Sequence, residues 1–421
     1  MELLGYDAQH FGILNDFATF LFSSGNKKAA MLVLTEAVKW HPENSLGHTN
    51  LGCLYVSERD FDAARRHFEI ALKFDPENTM AHEGMRTVLG RAQPAAPRKS
   101  SLLAPFAYAG GPIEVLVVEA AIGGNVFTHD FLADPAFRKT QVFLEHLNES
   151  VPLPEHDVIW SAIGDAERCP NLLAVAPSIL ARSTAPVVNA PHSVQGTTRA
   201  DMAQRFSGIE GIVTPRIWSV PREELAAERA ASTVAELGLQ YPFLLRSPGF
   251  HTGEYFLRVD SPEELREAPS LPGCALTLIE FLDVRNADGK VRKYRVVIVD
   301  GEIFPLHLAV SDHWKVHYFS ADMTENAEHR AEDEAFLRDM PAVLGARAMD
   351  ALGRAAKILN LDYGGIYFSI DAHGRVVVFE ANATMIVPEP EDEERWRYRL
   401  PHVQRIYDAV RGMLTRRKRG P

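Results

Sequence analysis

Glu380 and Asn382 close the segment Ile366–Asn382, which reads IYFSIDAHGRVVVFEAN. The run predicts a β-hairpin, and side chains in a strand return to the same face every second residue. Val376, Val378, Glu380 and Asn382 therefore share one face, so the strand ends on a carboxylate beside a carboxamide. Hard oxygen donors on a rigid element suit Mg²⁺, which keeps several waters and shares phosphate oxygens with a nucleotide. On a solvated hairpin edge the same two side chains would do no chemistry. What lies upstream decides between these readings.

Cationic and glycine-bearing elements lie there. Arg292–Val299 and Glu302–Ala309 predict two antiparallel strands joined at Asp300-Gly301, a pair suited to a tight hairpin turn. Arg295 alternates with Val297 and Val299 and so points toward the buried or cleft side, whereas Arg292 and Lys293 also fit a solvated face. Phe243–Arg246, Tyr255–Val259 and Ala275–Phe281 predict further strands. Between the first two runs the loop SPGFHTG, in which Ser247, His251 and Thr252 can donate to phosphate oxygens and Gly253 frees the backbone to approach a ligand. Upstream again, Glu114–Ala120, Asp157–Ile163 and Pro186–Asn189 predict parallel strands with intervening helices, a small open α/β layer. Gly123-Gly124-Asn125 follows the first of these as a tight turn opening toward a helix.

In order, NAPHSVQGTTRADMAQRF, IEGIVTP, YPFLLRSPGFHTG, TLIEFLD, DGKVRKYRVVIVDGEIFPLH and GRVVVFEAN resemble the ATP-grasp superfamily over roughly Ile113–Leu414. The resemblance implies a two-lobed fold that clamps ATP, with Mg²⁺, and activates a carboxylate as an acyl phosphate for attack by an amine. It implies that Arg199 and Arg246 hold phosphates in place of the family's lysines, with a bidentate fork in addition to charge. It gives Glu280, Phe281 and Leu282 to the segment that holds adenine, Asp283 to the ribose, Arg295 to the charge of the acyl-phosphate step, and Glu380 and Asn382 to the metal. His307, Trp314, Lys315 and His317 fall on the substrate side.

One departure bears on the metal. Where the family has an acidic residue, in a run like Gly-Ile-Asp-Phe, this chain has Gly365-Ile366-Tyr367-Phe368. A turn centred on His373-Gly374 sets Tyr367 opposite Glu380, and a neutral phenol is a poor Mg²⁺ ligand. Asp371 lies on the same face but on the order of 13 Å along the strand, and a bulge would be needed to recruit it as a ligand.

The first fifth of the chain is built differently. Phe11–Asn44 and Ser45–Asn78 are consecutive blocks that match position by position, and the second carries Leu51, Gly52, Tyr55, Ala64, Phe68, Ala71 and Pro76 at tetratricopeptide (TPR) positions. Small residues allow close helix approach, the larger ones fill the seam, and Pro76 ends the second helix. Met80–Ala92 resembles a third first-helix. Such repeats bind a peptide or protein partner, or serve as a structural cap.

The expected fold is therefore multidomain α+β. It comprises all-α TPR hairpins over 1–92, a Pro/Ala/Gly-rich linker over 93–112, an α/β layer over 113–190 and ATP-grasp lobes over 191–421. The 421 residues, 46% apolar and 24% charged, are those of an ordinary globular protein. A net charge of −12 argues against a nucleic-acid surface, and no window approaches ~20 apolar residues for a membrane span. Three cysteines without close spacing indicate neither a disulfide framework nor zinc, and no signal peptide is visible, so a cytoplasmic protein is expected. The expected activity is carboxylate–amine ligation on a substrate recruited by the repeats. An ATP-grasp phosphotransferase and a catalytically weakened nucleotide-binding scaffold are the alternatives.

Overall fold

The computed structural model describes residues 11–418 apart from 24–25, 59, 76–77, 79, 83, 86–87, 89–101, 122, 148–151, 227–228, 249–254, 267–270, 272–274, 317–320, 322 and 391–392. Four helices come first: α1 (Phe11–Ser23), α2 (Lys27–Trp40), α3 (Ser45–Ser57) and α4 (Phe61–Phe74). Asn26, Asn44 and Asp60 cap the last three, each side chain accepting from the backbone N–H three residues on. The small residues act as expected. A Cβ added at Gly52 would lie 2.6 Å from the Phe68 ring, so only glycine allows this helix approach.

Three sheets follow. The first is wholly parallel, in the order β2 (Phe137–Phe143), β1 (Ile113–Glu119), β3 (Val158–Ser161), β4 (Val187–Val188). Gly123 and Gly124, at φ 84° and 78°, form a tight turn, but no helix opens there. Instead Asn125 bonds back to the Ala120 backbone and bridges to Ile163.

The second sheet has the order β6 (Ile217–Pro221), β9 (Ala275–Glu280), β7 (Phe243–Arg246), β8 (Phe256–Val259), all antiparallel. One face buries Val220, Phe243, Leu245, Leu276 and Leu278 in a core of its own. Alternation then turns Ile217, Leu244, Arg246 and Ile279 the other way, toward a cleft.

The third sheet faces that cleft from the far side. Its order is β11 (Glu302–Ser311), β10 (Val291–Val299), β12 (Tyr363–Ile370), β13 (Val376–Asn382), β5 (Ile212–Val213). Tyr294 and Phe368 stack at 5.3 Å on its back, where Phe336 of the helix Ala327–Arg338 meets Tyr294 at 5.0 Å. The C-terminal helix Leu400–Arg417 ties this sheet to the first, with Tyr407 against Phe131 at 4.7 Å and Arg411 Nε donating to the Phe131 carbonyl. Asn189, buried at the end of β4, donates to the Tyr363 carbonyl and accepts from its N–H. The helices pack on the first sheet as well, since Phe68, Ala71 and Val56 share a core with Ala121 and Phe143. The expected multidomain α+β layout is the one observed. No helix among the described residues is long and apolar enough to cross a membrane.

Candidate functional site

A single cross-strand row defines the floor of the cleft. His307 pairs with Arg295, Arg295 with Tyr367, and Tyr367 with Glu380, across β11, β10, β12 and β13. Neighbouring side chains in such a row stand about 5 Å apart, close enough to interact directly. The expected juxtaposition of Tyr367 and Glu380 is present. The register shifts at Arg295/Val296 and at Tyr367/Phe368 make Leu306 of β11 and Phe379 of β13 the extra residues. The bulge at Phe379 corrects the expected alternation: Val376 and Val378 lie opposite Ile370 and the buried Phe368, on the helix side, and do not share the cleft face of Glu380 and Asn382. Lys293, two residues before Arg295, joins it over the cleft, while Arg292 turns away to Glu332 and Asp288.

Four cations gather here. Arg199, at the start of a helix capped by Thr198, reaches Glu380 Oε2 at 2.9 Å and donates to the Phe379 carbonyl at 3.1 Å. Arg246, only 8% exposed, ends β7 and donates to Glu167 Oε2 at 3.2 Å. The other oxygen of Glu167 accepts from the Arg199 N–H. Arg295 lies 4.6 Å from the Tyr367 ring centre, and the Lys293 ammonium 5.1 Å from it, both in cation–π range. Burial pushes Lys293 down to about 8; Glu380 opposes that shift, while Arg199 and Arg295 add to it. Burial raises the Tyr367 phenol above its ordinary value, which keeps it neutral.

The opposite wall is the segment after β9. Burial works against the charge of Glu280, but bonds from Arg216 outweigh it and hold the carboxyl below its usual range. Phe281 packs edge-on to Trp314 at 6.3 Å with the Arg258 guanidinium 4.6 Å over its ring. Leu282 packs on the main core, and Asp283, beside Arg285, is held below the usual carboxylate range. These two walls bound one cavity of about 1370 Å³. Glu43, Asn44, Ser45, Leu46, Asp75 and Asn78 of the repeat helices line its mouth.

The structure brings Arg199, Arg246, Glu280, Phe281, Leu282, Asp283, Arg295, Glu380 and Asn382 to this cavity. Ser247 is buried just beyond Arg246, bonded through its N–H to the Tyr255 carbonyl. His251, Thr252 and Gly253 lie outside the described residues, as does His317. Asp371 is a correction. It sits in the hairpin turn, where its carboxylate accepts from the His373 and Arg375 N–H groups and from Arg375 Nε at 2.7 Å. Local turn chemistry takes that side chain away from any metal. Lys293 and Glu167 join the site without having been singled out from the sequence.

As a cation site the residues fit one ion held by few protein oxygens. Glu380 and Asn382 are adjacent, with Asn382 Nδ2 donating to Glu380 Oε1 at 2.8 Å, and Thr384 donates to Asn382 Oδ1. Among the described residues no group of three or more His, Cys, Asp or Glu side chains converges as a metal site. One carboxylate plus waters and phosphate oxygens suffices for a single Mg²⁺. A second ion would lack its ligand, since Tyr367 stands there.

No family model matches the chain. The human tetratricopeptide repeat protein 6 is 37% identical over 67 residues, 16% of this chain and 12% of that protein. The chain thus corresponds to a small part of that relative. Among solved structures, a RimK domain ATP-grasp protein from Sphaerobacter thermophilus DSM 20745 is similar over 72% of this chain and 99% of its own, at 14% identity and a TM-score of 0.44. VanG D-Ala:D-Ser ligase from Enterococcus faecalis shows the same identity, coverage and TM-score. The ATP-grasp ligase PsnB, solved with a minimal precursor, Mg and ADP, is similar over 71% of this chain and 97% of its own, at 13% identity and a TM-score of 0.43. The tetratricopeptide resemblance expected of the N-terminal part recurs in the 67-residue match.

Proposed function

We propose that the chain is an ATP-dependent carboxylate–amine ligase. The observation that carries this is the cleft itself: Arg199, Lys293 and Arg295 on one wall, and Arg246 with the Glu280–Asp283 segment on the other, line one nucleotide-sized cavity. Backbone groups of that segment suit a base, and Asp283 suits ribose hydroxyls. The γ-phosphoryl group passes from ATP to a substrate carboxylate oxygen: the bond from Pγ to the bridging oxygen breaks, the acyl phosphate forms, and ADP leaves. An amine nitrogen then bonds to the acyl carbon, phosphate leaves with the C–O electron pair, and the nitrogen gives up a proton. Arg295 and Arg246 stabilise the charge of the transferring group, a purely electrostatic role. Were a magnesium ion to bind, Glu380 and Asn382 would hold it, and it would supply Lewis-acid withdrawal of charge from the phosphates; the chain's own cations do so in its absence.

The repeats sit at the cavity mouth, so a peptide held there would meet the site directly. Arg168 already occupies part of that inner surface, donating to Asn50 Oδ1 at 3.0 Å. The recruited segment therefore runs along Glu43–Leu46 and Asp75 instead of threading the helical groove.

The test is ADP release by the full chain with panels of carboxylic acids, with and without amines, read together with product mass. Ligation requires ADP that depends on both and an amide of matching mass. ADP with acid alone and a phosphorylated product would mean a phosphotransferase. Tight ATP binding without turnover, indifferent to Glu380→Gln, would mean a scaffold, the reading that Tyr367 favours.

A further inference from the structure

Glu380 is the one carboxylate that the cross-strand row offers to a hard cation, and both its oxygens are engaged: Oε2 by Arg199 at 2.9 Å, Oε1 by Asn382. The place across the hairpin from it, where a second carboxylate would complete a metal pair, is filled by Tyr367. On that phenol ring rest two cations, Lys293 and Arg295. Among the described residues, neither lies within 4 Å of a carboxylate oxygen. Arg199 and Arg246, by contrast, each have a carboxylate partner. Among the described residues Lys293 and Arg295 are thus two cations without an ion pair, held beside each other in a partly buried wall. Like charges held beside each other in a partly buried site repel. A polyanion relieves that repulsion.

Building on the nucleotide-binding reading above, we propose that Lys293 and Arg295, seated on Tyr367, take the place of a divalent ion, so that the chain binds ATP without magnesium. The ammonium is the part that matters most. It is a compact charge with three donors, anchored through one of them to the Val316 carbonyl at 3.2 Å, which leaves two for phosphate oxygens. The aromatic ring does what a carboxylate could not: it holds both cations in position without neutralising them. Magnesium on Glu380 would have to displace Arg199 from its ion pair, and this adds to the advantage of the fixed cations.

The experiment is isothermal titration calorimetry of ATP into the full chain, once in excess MgCl₂ and once in EDTA. The expected result is a Kd in EDTA within about tenfold of the magnesium value. Lys293→Met is expected to weaken the EDTA Kd by more than about tenfold, Lys293→Arg to preserve it, and Tyr367→Asp to make binding depend on magnesium. Thermal scans of each variant verify folding. Binding by the wild type only with magnesium overturns the inference and leaves the nucleotide site standing. So does an EDTA affinity that Lys293→Met does not change. Absence of binding under both conditions overturns the inference and the nucleotide site together.

Discussion

Glu167 belongs to the first sheet's neighbourhood, yet it pairs with the Arg246 guanidinium and accepts from the Arg199 backbone N–H, and its removal should be felt most when no nucleotide is present. Its Oε2 lies 3.2 Å from Arg246 Nη1, and its Oε1 accepts the Arg199 N–H at 3.3 Å. The side chains of the pair are 8% and 26% exposed for arginine and glutamate. Stripping one partner from a fully buried pair costs about 3–5 kcal/mol. Glu167→Gln keeps neutral hydrogen bonds and the site is a quarter open to water, so about 2 kcal/mol is expected here. For a unit of this size that lowers Tm by about 4 °C. Saturating ATP would hand Arg246 phosphate oxygens and restore its counter-charge, so the gap to wild type should shrink to about 1 °C. Scanning calorimetry with and without ATP reads both numbers. An equal loss of Tm in the two conditions would show that Glu167 is a structural strut and that Arg246 does not meet phosphate.

Three further outcomes are expected. Arg295→Lys keeps the charge but loses the planar stack on Tyr367, and should lower kcat for ADP release about 10²-fold with little change in KM for ATP; a change in KM alone would contradict it. Asp333 is wholly buried and accepts from Leu308 N–H and Tyr398 Oη, both at 2.6 Å, and from two Arg399 nitrogens. Asp333→Ala should therefore cost about 3–5 kcal/mol in urea unfolding, against nearly nothing if Arg399 finds water instead. In the repeats, His67 Nδ1 lies 3.0 Å from His48 Nδ1, and burial, helped by His48 and Arg66, lowers its pKa from 6.5 to about 4. The folded form resists protonation, so stability present above pH 6.5 is lost as pH falls toward 4. With solvent screening at this half-open site that is about 1 kcal/mol by pH 5. His67→Phe keeps the stack on Tyr55 and should flatten the profile in pH-dependent unfolding.

The parts of this molecule that were legible in advance are those fixed by local periodicity. Tyr367 and Glu380 could be paired by counting from a turn centred on His373-Gly374; the turn in fact centres on His373, closed by Asp371 against Arg375, and the bulged residue Phe379, lying between turn and pair, restores the count. Strand β2 escaped notice because FRKTQVF is polar on the outer edge of its sheet, where one flank of the backbone and much of each face meet water. Asp371 was misplaced for a different reason: its carboxylate had a nearer use, closing the turn on His373 and Arg375. Glu167 and Lys293 carry no local signal at all. The contact between Glu167 and Arg246 spans 79 positions of chain, and no periodic pattern encodes a meeting of two different sheets. Lys293 shares its face with Arg295 by simple alternation, but its sequence neighbours Arg292 and Tyr294 make the run look like a solvated strand. What separates them is the pleat: Tyr294 goes to the helices, Arg292 to Glu332, and Lys293 alone of the three is committed to the cleft. A charge so committed has a use only if an anion arrives to meet it.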